Sequence, residues 1–162
     1  MEVLKARYDL LKALEKDMEV AANAADRLKA SVNIVDEFKK RIEEEGDRKS
    51  FEELLKQHKS VKDSINMLLD ELFGKQDNRQ GITMNEFPST LSYLYTARSY
   101  VRSLEQKPGP TQEVLIDNAR KKLTEALEKI NHFYENDWVK YRESVEDLKL
   151  SPFKPFEPFQ LN

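Results

Sequence analysis

From Leu4 to Ile42 apolar side chains return every three or four residues, at Leu4, Tyr8, Leu11, Met18, Ala22, Ala25, Val32, Val35, Phe38 and Ile42. Lys, Glu, Asp and Arg fill most positions between them, and no glycine or proline interrupts the run before Gly46. That pattern predicts one amphipathic helix over residues 2–45. At about 1.5 Å per residue it would be a rod of about 65 Å. A rod of that length is unstable alone in water, so the rest of the chain must cover its apolar stripe from end to end. Pairs one turn apart with the acid leading, Asp36 with Lys40 and Glu37 with Arg41, add a little helix stability.

The remaining sequence supplies suitable partners. Ser50 and Glu53 read as a capping box, and Phe51, Leu54, His58, Val61, Ile65, Leu68 and Leu72 carry a second stripe over 51–73. The period then breaks from Gly74 to Pro88, a polar stretch with the character of a surface loop. Ser89 or Thr90 starts a third helix with Leu91, Leu94, Ala97, Val101 and Leu104 on one face, until Lys107-Pro108-Gly109-Pro110 forces a turn. Thr111 can cap a fourth helix, whose stripe of Leu115, Ala119, Leu123, Ala126, Ile130, Phe133, Tyr141, Val145 and Leu148 runs to about residue 149. The sequence thus specifies an all-α bundle over 1–149 with two long and two short helices. The favoured arrangement is an antiparallel up-and-down four-helix bundle that reverses in the 74–88 loop and leaves the long helices overhanging the short pair. The alternative is a three-rod bundle with a broken middle rod.

Residues 150–162 are of another kind. Pro152-Phe153, Pro155-Phe156 and Pro158-Phe159 repeat every three residues, the period of a polyproline II strand, so Phe153, Phe156 and Phe159 would share one edge. This extended tail either packs on the bundle, in the groove left by the overhang, or serves as a docking strip for a neighbouring domain.

The chain has 162 residues, of which 39% are hydrophobic and 35% charged, a balance that can fold but is too charged for membrane spans. Its formal charge of -3 gives no basic field for phosphates, and the triplets Lys39-Lys40-Arg41 and Arg120-Lys121-Lys122 lie beside acidic residues, so nucleic acid is not an expected partner. With no cysteine there is neither a disulfide framework nor a thiolate metal site. Met1 leads into Glu2-Val3-Leu4-Lys5 rather than a basic start and an apolar run, so no signal peptide is expected here; if the chain is a fragment, its export signal would lie upstream.

Catalytic patterns are not expected either. His58 and His132 are the only histidines and do not form a zinc pair; Ser50, Ser60, Ser64 and Thr96 lie outside any nucleophile elbow. Gly46, Gly74, Gly81 and Gly109 are too scattered for a phosphate loop, so no cofactor is expected. The carboxylates of Glu43-Glu44-Glu45, Glu135 and Asp137 read as solvated helix faces rather than a glycosidase pair. Tyr93, Tyr95, Tyr100, Tyr134, Trp138 and Tyr141 form an aromatic-rich stretch, either core packing or a sugar-stacking platform. In the loop, Arg79, Gln80 and Ile82 combine a bidentate donor, an amide and an apolar anchor around Gly81, and are candidate interaction residues together with the three tail phenylalanines. This loop is expected to pack at one end of the bundle.

Phe73-Gly74-Lys75, Asp77-Asn78-Arg79-Gln80-Gly81-Ile82-Thr83, Pro88-Ser89-Thr90, Leu94-Tyr95-Thr96-Ala97, Lys107-Pro108-Gly109-Pro110, Asn131 to Trp138, and Leu150-Ser151-Pro152-Phe153 through Glu157-Pro158 form a set of short motifs. Together they resemble the C-terminal helical region of sortilin-like proteins of Bacteroidetes, large exported β-propeller proteins with BNR (Asp-box) repeats, often labelled glycosyl hydrolases. The resemblance implies a non-catalytic accessory domain, periplasmic or extracellular, that scaffolds or docks onto the propeller of its parent, with other proteins or glycans as further partners. Any hydrolase activity would belong to the propeller, since no Ser-x-Asp-x-Gly-x-x-x-Trp Asp-box occurs in this chain. Two alternatives are a stand-alone helical adaptor and a carbohydrate-binding or hydrolase-associated module.

Overall fold

A computed structural model describes residues 2–44, 51–75 and 88–147. Within them the chain forms α1 (Glu2–Glu44), α2 (Glu52–Phe73), α3 (Thr90–Arg102), α4 (Pro110–Glu135) and α5 (Asp137–Glu146), with no strand among the described residues. The all-α bundle expected from the periodicity is present.

Its core repeats in sevens. Leu14, Ala21, Leu28, Val35 and Ile42 are all buried on α1, as are Leu54 and Val61, and His58, Ile65 and Leu72, on α2. On α4 the same spacing joins Ile116, Leu123 and Ile130, and separately Ala119, Ala126 and Phe133. A 3.5-residue apolar repeat shared by several helices is the signature of coiled-coil-like packing, in which long rods stay side by side along their length.

Cross-helix pairs fix the directions. Along α2 and into α3 the partners on α1 move steadily backward: Lys62 meets Asp36 at 2.6 Å, Lys29 lies over the Phe73 ring at 5.1 Å, and Arg98 meets Glu15 at 3.7 Å. Beyond α3, Arg7 donates to the Leu104 carbonyl at 3.2 Å and Lys107 meets Glu2 at 3.1 Å. Hence α2 and α3 run in the same direction, both antiparallel to α1, as two lengths of one interrupted rod. The third rod, α4 with α5, is parallel to α1. Arg120 bonds Asp17 and Tyr134 bonds Ser31, and in both pairs the partners are 103 positions apart.

The favoured up-and-down arrangement is therefore corrected to the alternative, three rods with a broken middle one. The core divides to match. Leu28, Val35 and Ile42 pack with α2, the end of α4, and α5, whereas Leu14 and Ala21 pack with α3 and the first half of α4. Because α2 and α3 together cover α1, the long helices do not overhang a shorter pair, and the groove expected for the tail does not arise in that way. The ends of α2 and α3 that flank the break, Phe73 and Thr90, lie midway along the bundle, and the loop expected to pack at one end lies outside the described residues from 76 to 87.

Local chemistry sets the boundaries. Gly74 has φ 86°, a left-handed value that side chains resist, and its N–H donates to the Asp70 carbonyl at 2.7 Å to close α2. Ser89 caps α3, its hydroxyl accepting from the Ser92 N–H at 3.2 Å. The fourth helix starts at Pro110 with Gly109 in the cap position, and Gln112 Oε1 accepts from the Gly109 N–H at 3.1 Å, so Thr111 lies inside the helix. The expected cap Ser50 lies outside the described residues.

One expected helix is two. The stripe predicted to run unbroken to residue 149 is interrupted at Asn136, whose Nδ2 donates to the His132 carbonyl at 2.9 Å beside its own backbone N–H at 3.1 Å. A side chain competing for a helical carbonyl distorts the turn. The ladder nonetheless resumes, the Lys140 N–H reaching the Asn136 carbonyl at 3.2 Å, so α5 continues the rod.

Candidate interaction surface

The six candidates chosen from the sequence, Arg79, Gln80, Ile82, Phe153, Phe156 and Phe159, lie outside the described residues. The aromatic stretch is described, and it is two groups rather than one. Tyr95 and Tyr100 are exposed on α3, with Tyr93 packed against the core of that half. Tyr134, Trp138 and Tyr141 belong to the other half of the bundle.

This second group is built on the α4–α5 junction. Trp138 touches three rings, with centroids 6.3 Å from Phe133, 6.0 Å from Tyr134 and 5.5 Å from Tyr141. Tilted and edge-on contacts of this kind fix ring orientation more tightly than aliphatic packing does. Tyr134 faces α1, where its hydroxyl lies 2.9 Å from Ser31 Oγ and the Arg27 guanidinium covers its ring at 4.7 Å. Ser31 also donates to the Arg27 carbonyl one turn back, so this buried hydroxyl is satisfied twice. Sequence reasoning passed over Ser31, although it stands one helical step from Leu28 on the same stripe.

The helical period extends that face along α1 to Ile34, Phe38 and Arg41. Ile34 is 41% exposed, Phe38 and Trp138 are half-buried, and Arg41 lies over the Phe38 ring at 5.6 Å. The result is an aromatic and aliphatic strip between α1 and the α4–α5 rod, with an arginine toward each end.

On the opposite flank of α1, a groove against α2 is lined by Val35, Leu55 and His58 and rimmed by Asp36, Lys39, Lys59, Lys62 and Asp63. Lys62 bridges it by donating to both carboxylate oxygens of Asp36, at 2.6 and 2.7 Å. Asp36 thus pairs across the groove, where the sequence suggested Lys40 on its own helix. With both signs of charge on the rim, the groove selects neither anions nor cations.

Behind it, His58 is buried, 2% exposed, with its ring edge-on to Tyr141 and Nε2 3.5 Å from the Tyr141 hydroxyl. Its Nδ1 is buried without a hydrogen-bond partner. Burial pushes the imidazole below its ordinary pKa, partly opposed by the Leu54 carbonyl one turn back, and burial likewise pushes the Tyr141 hydroxyl up. Both groups are held neutral in the core. Among the described residues, no carboxylate orients the ring within hydrogen-bond distance, as a general base would need. Among the described residues, no group of three or more His, Asp or Glu side chains is placed to hold a metal ion, and no helix is long and apolar enough to cross a membrane.

No family model, curated protein or solved structure matches this chain.

Proposed function

We propose that this chain is a non-catalytic accessory domain of an exported sortilin-like β-propeller protein. It acts as a stiff arm that carries an interaction surface away from the propeller. The observation that supports this reading is the odd number of rods. Glu2 lies at the end of the bundle marked by Lys107, whereas Asp147 follows α5 at the end where α1 finishes. A chain that enters at one end and leaves at the other spans its own length, and α1 with 43 residues sets that length at about 65 Å. Coiled-coil-like packing over the whole distance resists bending, as a spacer requires. The propeller would attach through the Glu2 end, and other proteins or glycans would meet the far half, where the Trp138 strip lies.

Imaging of the parent protein with and without this region tests the arm. A rod of about 65 Å projecting from the propeller, and missing from the deletion, is the expected result; a bundle lying flat on the propeller overturns it. The non-catalytic reading has its own check. The purified chain should not turn over aryl glycosides or peptides, and turnover abolished by a single carboxylate or histidine substitution would refute it.

A further inference from the structure

Both histidines of the chain lie where α5 is attached to the bundle. At the α4–α5 junction Asn136 Nδ2 is 3.2 Å from His132 Nδ1, beside its bond to the His132 carbonyl. At the seat of α5 on α2, the buried His58 ring stands edge-on to Tyr141 with centroids 5.1 Å apart, its Nε2 is 3.5 Å from the Tyr141 hydroxyl, and its Nδ1 is without a hydrogen-bond partner. We propose that His58 is an acid-sensitive latch for α5: when neutral it seats Tyr141 on α2, and when protonated it releases α5 about the Asn136 junction while α1 to α4 stay folded. This inference does not depend on the arm reading, because it concerns only how α5 is held.

The helix is built to come away separately. It has 10 residues, too few to be stable alone in water, and only Tyr141 and Val145 are buried on it, whereas α4 is anchored from Ile116 to Phe133. Its neighbours are α2 and α4, and α4 joins it through the interrupted turn at Asn136, with φ -117° and ψ -68°. A short element with few buried side chains and a break in its hydrogen-bond ladder opens at a lower free energy than the whole fold, and the break supplies the hinge. What holds α5 down is therefore its seat on α2, and His58 is the α2 side chain in ring contact with it.

The charged groups around the groove that His58 lines are Asp36, Lys39 and Glu43 on α1 and Lys59, Lys62 and Asp63 on its own helix; from α5 it meets the Tyr141 hydroxyl. The ammonium and carboxylate groups balance in number, and Lys62 already holds both oxygens of Asp36. Burial therefore decides, and it lowers the imidazole pKa while α5 is seated, with Lys39 and Asp36 acting in opposite senses. Release of Tyr141 opens the ring to water, where it takes up a proton near its ordinary value of about 6.5. The released form thus binds the proton first. Each pH unit below about 6.5 favours release by up to tenfold, until the seated form protonates as well.

Trp138 is the sole tryptophan and packs against Tyr141 and, across the junction, Phe133 and Tyr134, so it reads the latch directly. Between pH 7.5 and pH 5 the emission of the full chain should shift to the red and acrylamide quenching should rise, while far-UV circular dichroism loses no more than the share of α5. His58→Phe should remove that transition. His132→Gln should leave it in place, although His132 is exposed at the junction with Glu128 and Glu135 one turn to either side. Hydrogen exchange on the unaltered chain covers the case in which His58→Phe fails to fold: at pH 5, after correction for the intrinsic rate, residues 137–146 should lose protection that residues 116–130 of α4 keep. The proposal is overturned if fluorescence and helix signal are lost together at one midpoint, if protection falls equally in α5 and α4, or if the His58→Phe titration matches the parent's.

Discussion

His58 is where the sequence places a polar residue on an apolar stripe, and the fold holds it neutral against Tyr141. The sign of its pH effect follows. Because the folded pKa is lowered by burial, the unfolded chain takes up a proton near pH 6.5 before the folded chain does. Stability from this group is complete above that value and is lost as pH falls toward the folded pKa. The charged neighbours act in opposite senses, Lys39 lowering the pKa and Asp36 raising it, so burial decides the direction. The melting temperature should fall between pH 7.5 and pH 5, and His58→Phe, which keeps a ring against Tyr141, should flatten that part of the profile. A His58→Phe profile parallel to the parent's would refute this. Much of the core was legible at this scale: every buried residue of α2 stood on the predicted stripe. On α1 the expected stripe matches the buried face at Ala25, Val35 and Ile42 and departs from it elsewhere. Ala21 is buried where Ala22 was expected, and Leu4 and Tyr8 are 60% and 61% exposed. Two adjacent alanines satisfy either phase, and Leu14 and Leu28 settle it only once all the rods are in place.

At the scale of elements, helix ends were read well where a local rule decides them and less well where two rules compete. Ser89 caps α3 as expected, and α2 stops at Gly74 because the chain takes a left-handed turn there. With φ 86° and ψ 153°, Gly74 occupies a region nearly closed to other residues. Gly74→Val should therefore destabilise the fold by about 1–3 kcal/mol, measured by urea denaturation. A value near zero would mean that the turn rearranges freely. The break at Asn136 was not legible, since the apolar period continues through it and the competing hydrogen bond to His132 is a matter of one rotamer. The interaction residues named from the loop and tail lie outside the described residues, so the strip around Trp138 had to be found from the helices. Its signal was present in the aromatic run, but sequence adjacency merged Tyr134 and Trp138 with Tyr95 and Tyr100, which α3 carries into the other half.

The direction of α3 decides the shape of the whole molecule, and periodicity is silent about it. A loop of this length can reverse the chain or let it continue, and the stripe of α3 serves either course equally well. Charge decides between them only in three dimensions: Arg98 with Glu15 and Lys107 with Glu2 form when α3 runs antiparallel to α1, and neither residue is marked in the sequence as a partner of the other. Exposed pairs contribute at most about 1 kcal/mol each, so they report the topology more than they create it. The driving force is burial of Leu94, Ala97 and Val101 against Leu14 and Ala21, which would leave half of α1 uncovered if α3 lay elsewhere. The two topologies differ in one measurable distance. With three rods, Glu2 and Asp147 lie about 65 Å apart, whereas an up-and-down bundle would bring them to the same end, within about 10–20 Å for neighbouring helices. The chain has no cysteine, so Glu2→Cys with Asp147→Cys gives a clean pair for dye labels. Energy transfer should be weak in the folded chain, and a control pair at Asp17 and Arg120, whose side chains bond at 2.9 Å, should transfer strongly. Strong transfer between the end labels of the monomer would return the molecule to the up-and-down arrangement and remove the basis for an arm.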